Sequence, residues 1–165
     1  MFAYEGADIN PFVAAPSRRA GKIGIARQRI QESEVSMFAA YVVVTLLAIA
    51  ANTFSGVAAI VHFKPILPGM AKAGVPESWL TFPIGTLKTA GAVGLLLGVI
   101  GVPLIGTAAA VGLILFFVCA IYTHLRAGDY STQFGLAIAF LSLAVAALAL
   151  DLAVSHVVVM GDHLR

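Results

Sequence analysis

Few residues in this chain are equipped for chemistry, and they stand inside or at the ends of long apolar runs. Asn52, Ser55, Ala59 and His62 follow one another at spacings of three, four and three, which puts an amide, a hydroxyl and an imidazole on one face of a helix. An amide facing hydrocarbon without a partner costs several kcal/mol, so this face is expected to look inward. Lys88 lies about seven residues inside another apolar run, near 10 Å from its end at about 1.5 Å per residue. An ionisable residue at that depth is by default a site hypothesis. Two plainer readings stand beside it: a stem that runs out to the headgroups, or a structural hydrogen bond to Asn52 or Ser55.

His62 and His124 close two of the apolar runs. Two imidazoles suit a metal or haem in principle, but a histidine at a helix end more often satisfies the last carbonyls and suits the dipole there. No carboxylate is expected beside either histidine at ligand spacing. Asp129 is an equally good partner for Arg126, and no metal is assigned. Asp151 is expected near Arg165 or the basic residues of the N-terminal segment. The candidate ligand-binding residues are therefore Asn52, Ser55, His62, Lys88 and His124. No catalytic residue is assigned, because the chain carries no nucleophile elbow, phosphate loop or carboxylate pair. The single cysteine, Cys119, excludes a disulfide framework and a thiol relay within the chain.

The elements that must hold these residues follow from composition. The chain has 165 residues, 60% apolar and 11% charged, with a mean hydropathy of +0.97. A soluble domain carries about 25% charged and 45–50% apolar residues, so this is a membrane protein by composition. A water-soluble enzyme, a nucleic-acid binder and a disordered tail are excluded. No charge falls between Glu34 and Lys64, between Lys88 and Arg126, or between Asp129 and Asp151, and each gap holds the roughly 20 residues that cross a bilayer as helix. The pattern predicts an all-α bundle of four spans, at about 37–62, 82–100, 104–123 and 132–150.

Five basic residues, Arg18, Arg19, Lys22, Arg27 and Arg29, precede the first span. The positive-inside rule puts that end in the cytoplasm, and an even number of spans returns the C-terminus there, across the cell's inner membrane. Residues 1–35 read as an N-terminal extension whose basic part, 17–34, is either a short amphipathic helix on anionic headgroups or a tail that sets topology. The first apolar run is too long for a cleaved signal. Arg18, Arg19 and Lys22 are expected as inner anchors and Trp79 as an outer one. Pro65, Pro68, Gly69, Gly74 and Pro76 mark a loop after span one, with a turn or two of interfacial helix within 66–73. Gly101-Val102-Pro103 leaves spans two and three as a tight hairpin. Gly91, Gly94 and Gly98 are assigned to helix packing, since backbone approach at small residues supplies the contact that hydrophobicity cannot supply in lipid. This topology gathers His62, Lys88, His124 and Asp129 toward one end.

Several of these stretches taken in order resemble a known family. They are Ser55-Gly56, His62-Phe63-Lys64-Pro65, Gly74-Val75-Pro76 with Trp79-Leu80, Phe82-Pro83-Ile84-Gly85-Thr86-Leu87-Lys88 with the glycines that follow, and His124-Leu125-Arg126-Ala127-Gly128-Asp129. From about Phe54 to Leu150 the chain resembles the DoxX-like family of small four-helix membrane proteins. That resemblance implies a four-helix bundle and a link with membrane redox complexes, including small subunits of quinone-linked thiosulfate oxidation and proteins of oxidative-stress defence.

Two functions from different classes are open at this level. The first is an accessory or scaffold subunit without chemistry, docking to a larger membrane complex, or to further copies of itself, through small-residue faces and the N-terminal segment. The second is a redox-linked protein that binds a quinone or another lipid between its helices near Asn52, Lys88 and His124. The lack of a catalytic constellation favours the first. Four spans without an inverted repeat or a broken helix speak against a transporter.

Overall fold

Without water to take up backbone N–H and C=O groups, a chain this apolar must close them internally, and helix is the local way to do so. The computed structural model describes residues 18–163, with side chains from 21 to 157, and among them every regular element is helical. The main helices are α1 (Arg18–Ile60), the short α2 (Leu67–Lys72), α3 (Thr86–Val99), α4 (Ile105–Ala127) and α5 (Thr132–His163). Among the described residues four stretches are long and apolar enough to cross a membrane: Gly21–Ile60, Glu77–Val99, Ile105–Ala127 and Thr132–Val157. The protein is an all-helical membrane protein.

The chain divides into two units, Met1–Val35 and Ser36–Arg165. In the first, residues 21–35 are exposed helix, with Ile23, Ile25 and Ile30 each more than half open. The helix that carries span one starts at Arg18, well before the apolar run does. Residues 1–17 and the side chains of the expected anchors Arg18 and Arg19 lie outside the described residues, as does Arg165.

In the second unit, four helices end in the same way. The chain turns through a left-handed residue, and the next N–H reaches back five residues, as in Phe63→Ala58, Val75→Met70, Val102→Leu97 and Asp129→His124. Glycine fills the left-handed position at Gly74, Gly101 and Gly128, but His62 fills it after α1, at φ 50°. This closing motif normally selects glycine because a Cβ is strained there. The His62 ring partly compensates by donating from Nδ1 to the Ile60 carbonyl at 3.1 Å.

Span two is not the continuous helix expected from Phe82. Regular helix begins only at Thr86, after a wide, distorted segment, Leu80–Gly85, in which Phe82 is fully extended (φ −133°, ψ 126°). Pro83 is the cause: its ring pushes the residue before it out of helical conformation. The Thr86 hydroxyl donates to the Thr81 carbonyl at 2.7 Å, satisfying an acceptor in the broken turn. The expectation that no span is broken is corrected here.

Helices α3 and α4 form the hairpin, and their separation is graded. A methyl group placed on Gly98 would fall 2.5 Å from the Gly106 Cα, so the backbones touch there. Further along α3, Gly94 faces Ala109 and Gly91 faces Leu113. Helix α1 approaches α3 in the same manner, with Gly56 against Thr89 and the Gly85 carbonyl. Ala48, Leu95, Ala110, Leu113, Phe117 and Ala144 make the buried core, drawn from all four spans.

Candidate functional site

The grading continues beyond Gly91, and the helices part around a cavity of about 620 Å³. Lys88 lies one turn from Gly91 toward the cavity, at the midpoint of Glu77–Val99. Its ammonium donates to the Ser55 hydroxyl on α1 at 2.7 Å. Three phenylalanine rings face the same charge: Phe140 on α5 at 5.0 Å from Nζ to centroid, Phe117 on α4 at 5.2 Å and Phe116 at 5.8 Å. Each of the other three spans thus places a group on Lys88. Aromatic faces attract a cation within about 6 Å through the ring quadrupole, more strongly when water is excluded. The rings are themselves locked, with Phe117 edge-on to Phe116 at 5.1 Å and tilted against Phe140 at 5.3 Å. Of the readings open for Lys88, the structural bond to Ser55 is the contact observed, and the amine points among helices rather than out to headgroups.

Most of the wall is apolar, and part of it is the broken segment, where Pro83 and Ile84 line the cavity. Non-helical backbone at membrane depth is tolerated where it lines a cavity. Lys88, Ser55, Thr123, His124 and Gln133 supply the polar groups, with Cys119 also on the wall. Phe54 and Leu115 belong to the wall yet are 74% and 61% exposed, so the cavity opens sideways, to where acyl chains lie. Trp79, expected only as an interfacial anchor, also lines it.

His124 sits two turns along α4 from Phe117, on the same face. Its Nδ1 meets Asp129 Oδ2 at 2.8 Å, and both side chains are buried. Asp129 also accepts from the Ser131 backbone N–H at 3.2 Å and the Ser131 hydroxyl at 3.0 Å. Burial works against the charged carboxylate, but the bonds from His124 and Ser131 outweigh it and hold Asp129 below the usual carboxylate range. The expectation that no carboxylate stands beside a histidine, and that Asp129 serves Arg126 equally well, is corrected. The left-handed turn at Gly128 reverses the chain and carries Asp129 back over the last turn of α4. A stop glycine followed by aspartate is the signal in the sequence that points to this pair.

Two candidate residues lie elsewhere. Asn52 is fully buried but is not on the cavity wall; its Nδ2 donates to the Ala48 carbonyl at 2.9 Å, while Oδ1 finds no partner among the described residues. The hydroxyl oxygens of Thr45 and Thr89 are buried and unpartnered in the same sense. His62 serves the end of α1 and is absent from the wall. Asp151 accepts a hydrogen bond from Thr107 on α4 at 2.5 Å and lies beside Tyr41, while its expected neighbour Arg165 lies outside the described residues. Among the described residues no cluster of three His, Cys, Asp or Glu forms a metal site. Sequence reasoning missed the phenylalanine cage, since its rings look like any other apolar residues in a span.

A four-helix membrane bundle with a lateral cavity between its helices is the class that fold and site define. The chain belongs to the DoxX-like family, whose profile matches residues 43–147, beginning within α1 and ending within α5. No curated protein and no solved structure matches the chain.

Proposed function

We propose that this protein holds one lipid-like molecule, a quinone or a lipid, in the cavity between its helices, and that Ser55, Lys88 and His124 are the polar residues that meet it. The observation that carries this reading is the cavity itself: about 620 Å³, apolar, open toward lipid, with few polar groups and a caged cation. Ligand sites typically have this size and this sparse polar lining. The link of DoxX-like proteins with quinone-dependent membrane redox complexes supports a quinone as one occupant.

Trp79 is the only tryptophan of the chain and stands on the cavity wall, so its fluorescence reports on occupancy. Titration of the reconstituted protein with a brominated single-chain amphiphile should quench it saturably. Quenching that only rises in proportion to the probe's share of the bilayer would show contact with bulk lipid and overturn the reading.

The exposed isoleucines of residues 21–35 favour a second role, that of an accessory or scaffold subunit docked through its N-terminal segment to a larger, redox-linked membrane complex. Deletion of residues 1–35 should then release the partner from a detergent pull-down, and recovery at full yield would refute it. The basic residues before span one support a cytoplasmic N-terminus and, with four spans, a cytoplasmic C-terminus in the inner membrane.

A further inference from the structure

The chemistry around Lys88 specifies more than a lipid-like occupant, and the following step rests on the cavity reading above. We infer that the occupant's polar end is a carboxylate, so that the cavity selects a single-chain acidic amphiphile of the fatty-acid class, with its head on Lys88 and Ser55.

An ammonium has three N–H donors. One goes to Ser55 Oγ at 2.7 Å, and the other neighbours found for the charge are the faces of Phe116, Phe117 and Phe140. A ring face attracts a cation but accepts no strong hydrogen bond. Among the described residues no aspartate or glutamate is on the cavity wall. Lys88 therefore stands at mid-span with aromatic attraction but no counter-charge, and a cation removed from water is costly until an anion and full hydrogen bonding compensate it. A quinone carbonyl would accept one hydrogen bond and leave the charge unbalanced. A carboxylate balances it and supplies the missing acceptors.

Ser55 completes the match. Its oxygen accepts from Lys88, which leaves its O–H free to donate, and among the described residues its hydroxyl makes no other bond. A carboxylate has two oxygens and accepts only. One oxygen fits the Lys88 N–H groups and the other the Ser55 O–H, both charge-assisted. Beyond this pair the wall is mostly hydrocarbon, including Ile84, Leu87, Leu115 and Leu136, with Thr123, His124 and Gln133 as its other polar side chains, and the opening beside Phe54 and Leu115 gives an acyl tail a path into the bilayer.

The test uses the full-length protein in nanodiscs of phosphatidylcholine, titrated with laurate and with methyl laurate, which has the same chain without the charge. The wild type should bind laurate about tenfold tighter than the ester, the factor that one charge-assisted hydrogen bond supplies. Lys88→Met should bring laurate down to the ester's affinity while still binding the ester saturably, which also shows that its cavity is intact. Lys88→Arg should keep most of the preference, and Ser55→Ala should lose part of it. Equal binding of acid and ester to the wild type, or a preference that survives in Lys88→Met, overturns the carboxylate assignment but leaves the cavity reading standing. Failure of both probes to bind saturably overturns the two together.

Discussion

The two ends of the α3–α4 pair differ in one respect that explains the rest: the size of what stands between the helices. At the hairpin end Gly98 meets Gly106 backbone to backbone, while two to three turns away Lys88 faces Phe116 and Phe117. Glycine opposite alanine, and then glycine opposite leucine, are the intermediate steps. In lipid, contact between helices is made by packing rather than by exclusion of water, so a gradient of side-chain size becomes a gradient of separation. The cavity is what that gradient leaves at its wide end. The same side chains that hold the helices apart there, the phenylalanines, face the lysine charge.

This contrast can be broken most severely at its closed end. Gly98→Leu puts a side chain where only backbone fits and cannot relax away from Gly106, so it should cost about 3 kcal/mol of stability. Denaturant titration of the purified variant measures this, and a near-wild-type midpoint would show that the contact at Gly98 is not tight. Next in size is Asp129→Asn, which removes the charged partner of His124. Because the Asp129 carboxyl is held below its ordinary range, its contribution is present above the unfolded value of about 3.9 and is lost as pH falls through the lower folded value. Thermal unfolding should show the wild type ahead of Asp129→Asn at pH 6, with the gap closing only below about pH 4. A gap independent of pH down to 3 would mean that the carboxylate charge contributes nothing.

Smaller, and opposite in sign, is the effect of His62→Gly. It relieves a side chain in the left-handed position that glycine fills at Gly74, Gly101 and Gly128 and should gain about 1 kcal/mol. A loss would mean that the Nδ1 bond to Ile60 outweighs the strain. The least effect on stability is expected from Gly112→Leu. That glycine lies on the cavity wall, and a methyl group added to it would have no neighbouring atom within 4 Å, so the midpoint should stay within about 0.5 kcal/mol while binding of a cavity probe weakens. The same residue type thus gives opposite outcomes at positions 98 and 112.

How much of this can be read from the sequence depends on the range of the interaction. The four spans, the hairpin at Gly101 and the break in charge at each loop follow from composition and local chemistry, and the family resemblance rests on local motifs. Lys88 stands out because a charge in an apolar run is rare, and Ser55 because it shares a helical face with Asn52. The break at Phe82 is legible too, since Pro83 is a local signal, but the apolar run around it masks its effect. The cage is not legible: Phe116, Phe117 and Phe140 carry no mark that separates a ring facing lipid from a ring facing a cation. Asn52 draws attention for its amide, yet whether a buried amide faces a cavity or a neighbouring helix is decided by helix rotation, which a single sequence does not fix.

The most direct test of the cavity as a binding site compares the native mass of the gently solubilised wild type with that of Ala120→Phe, which fills the wall between Phe117 and His124. A stoichiometric small-molecule adduct is expected on the wild type and absent from the folded variant. An unmodified wild type, or the same adduct on both, would contradict the cavity reading.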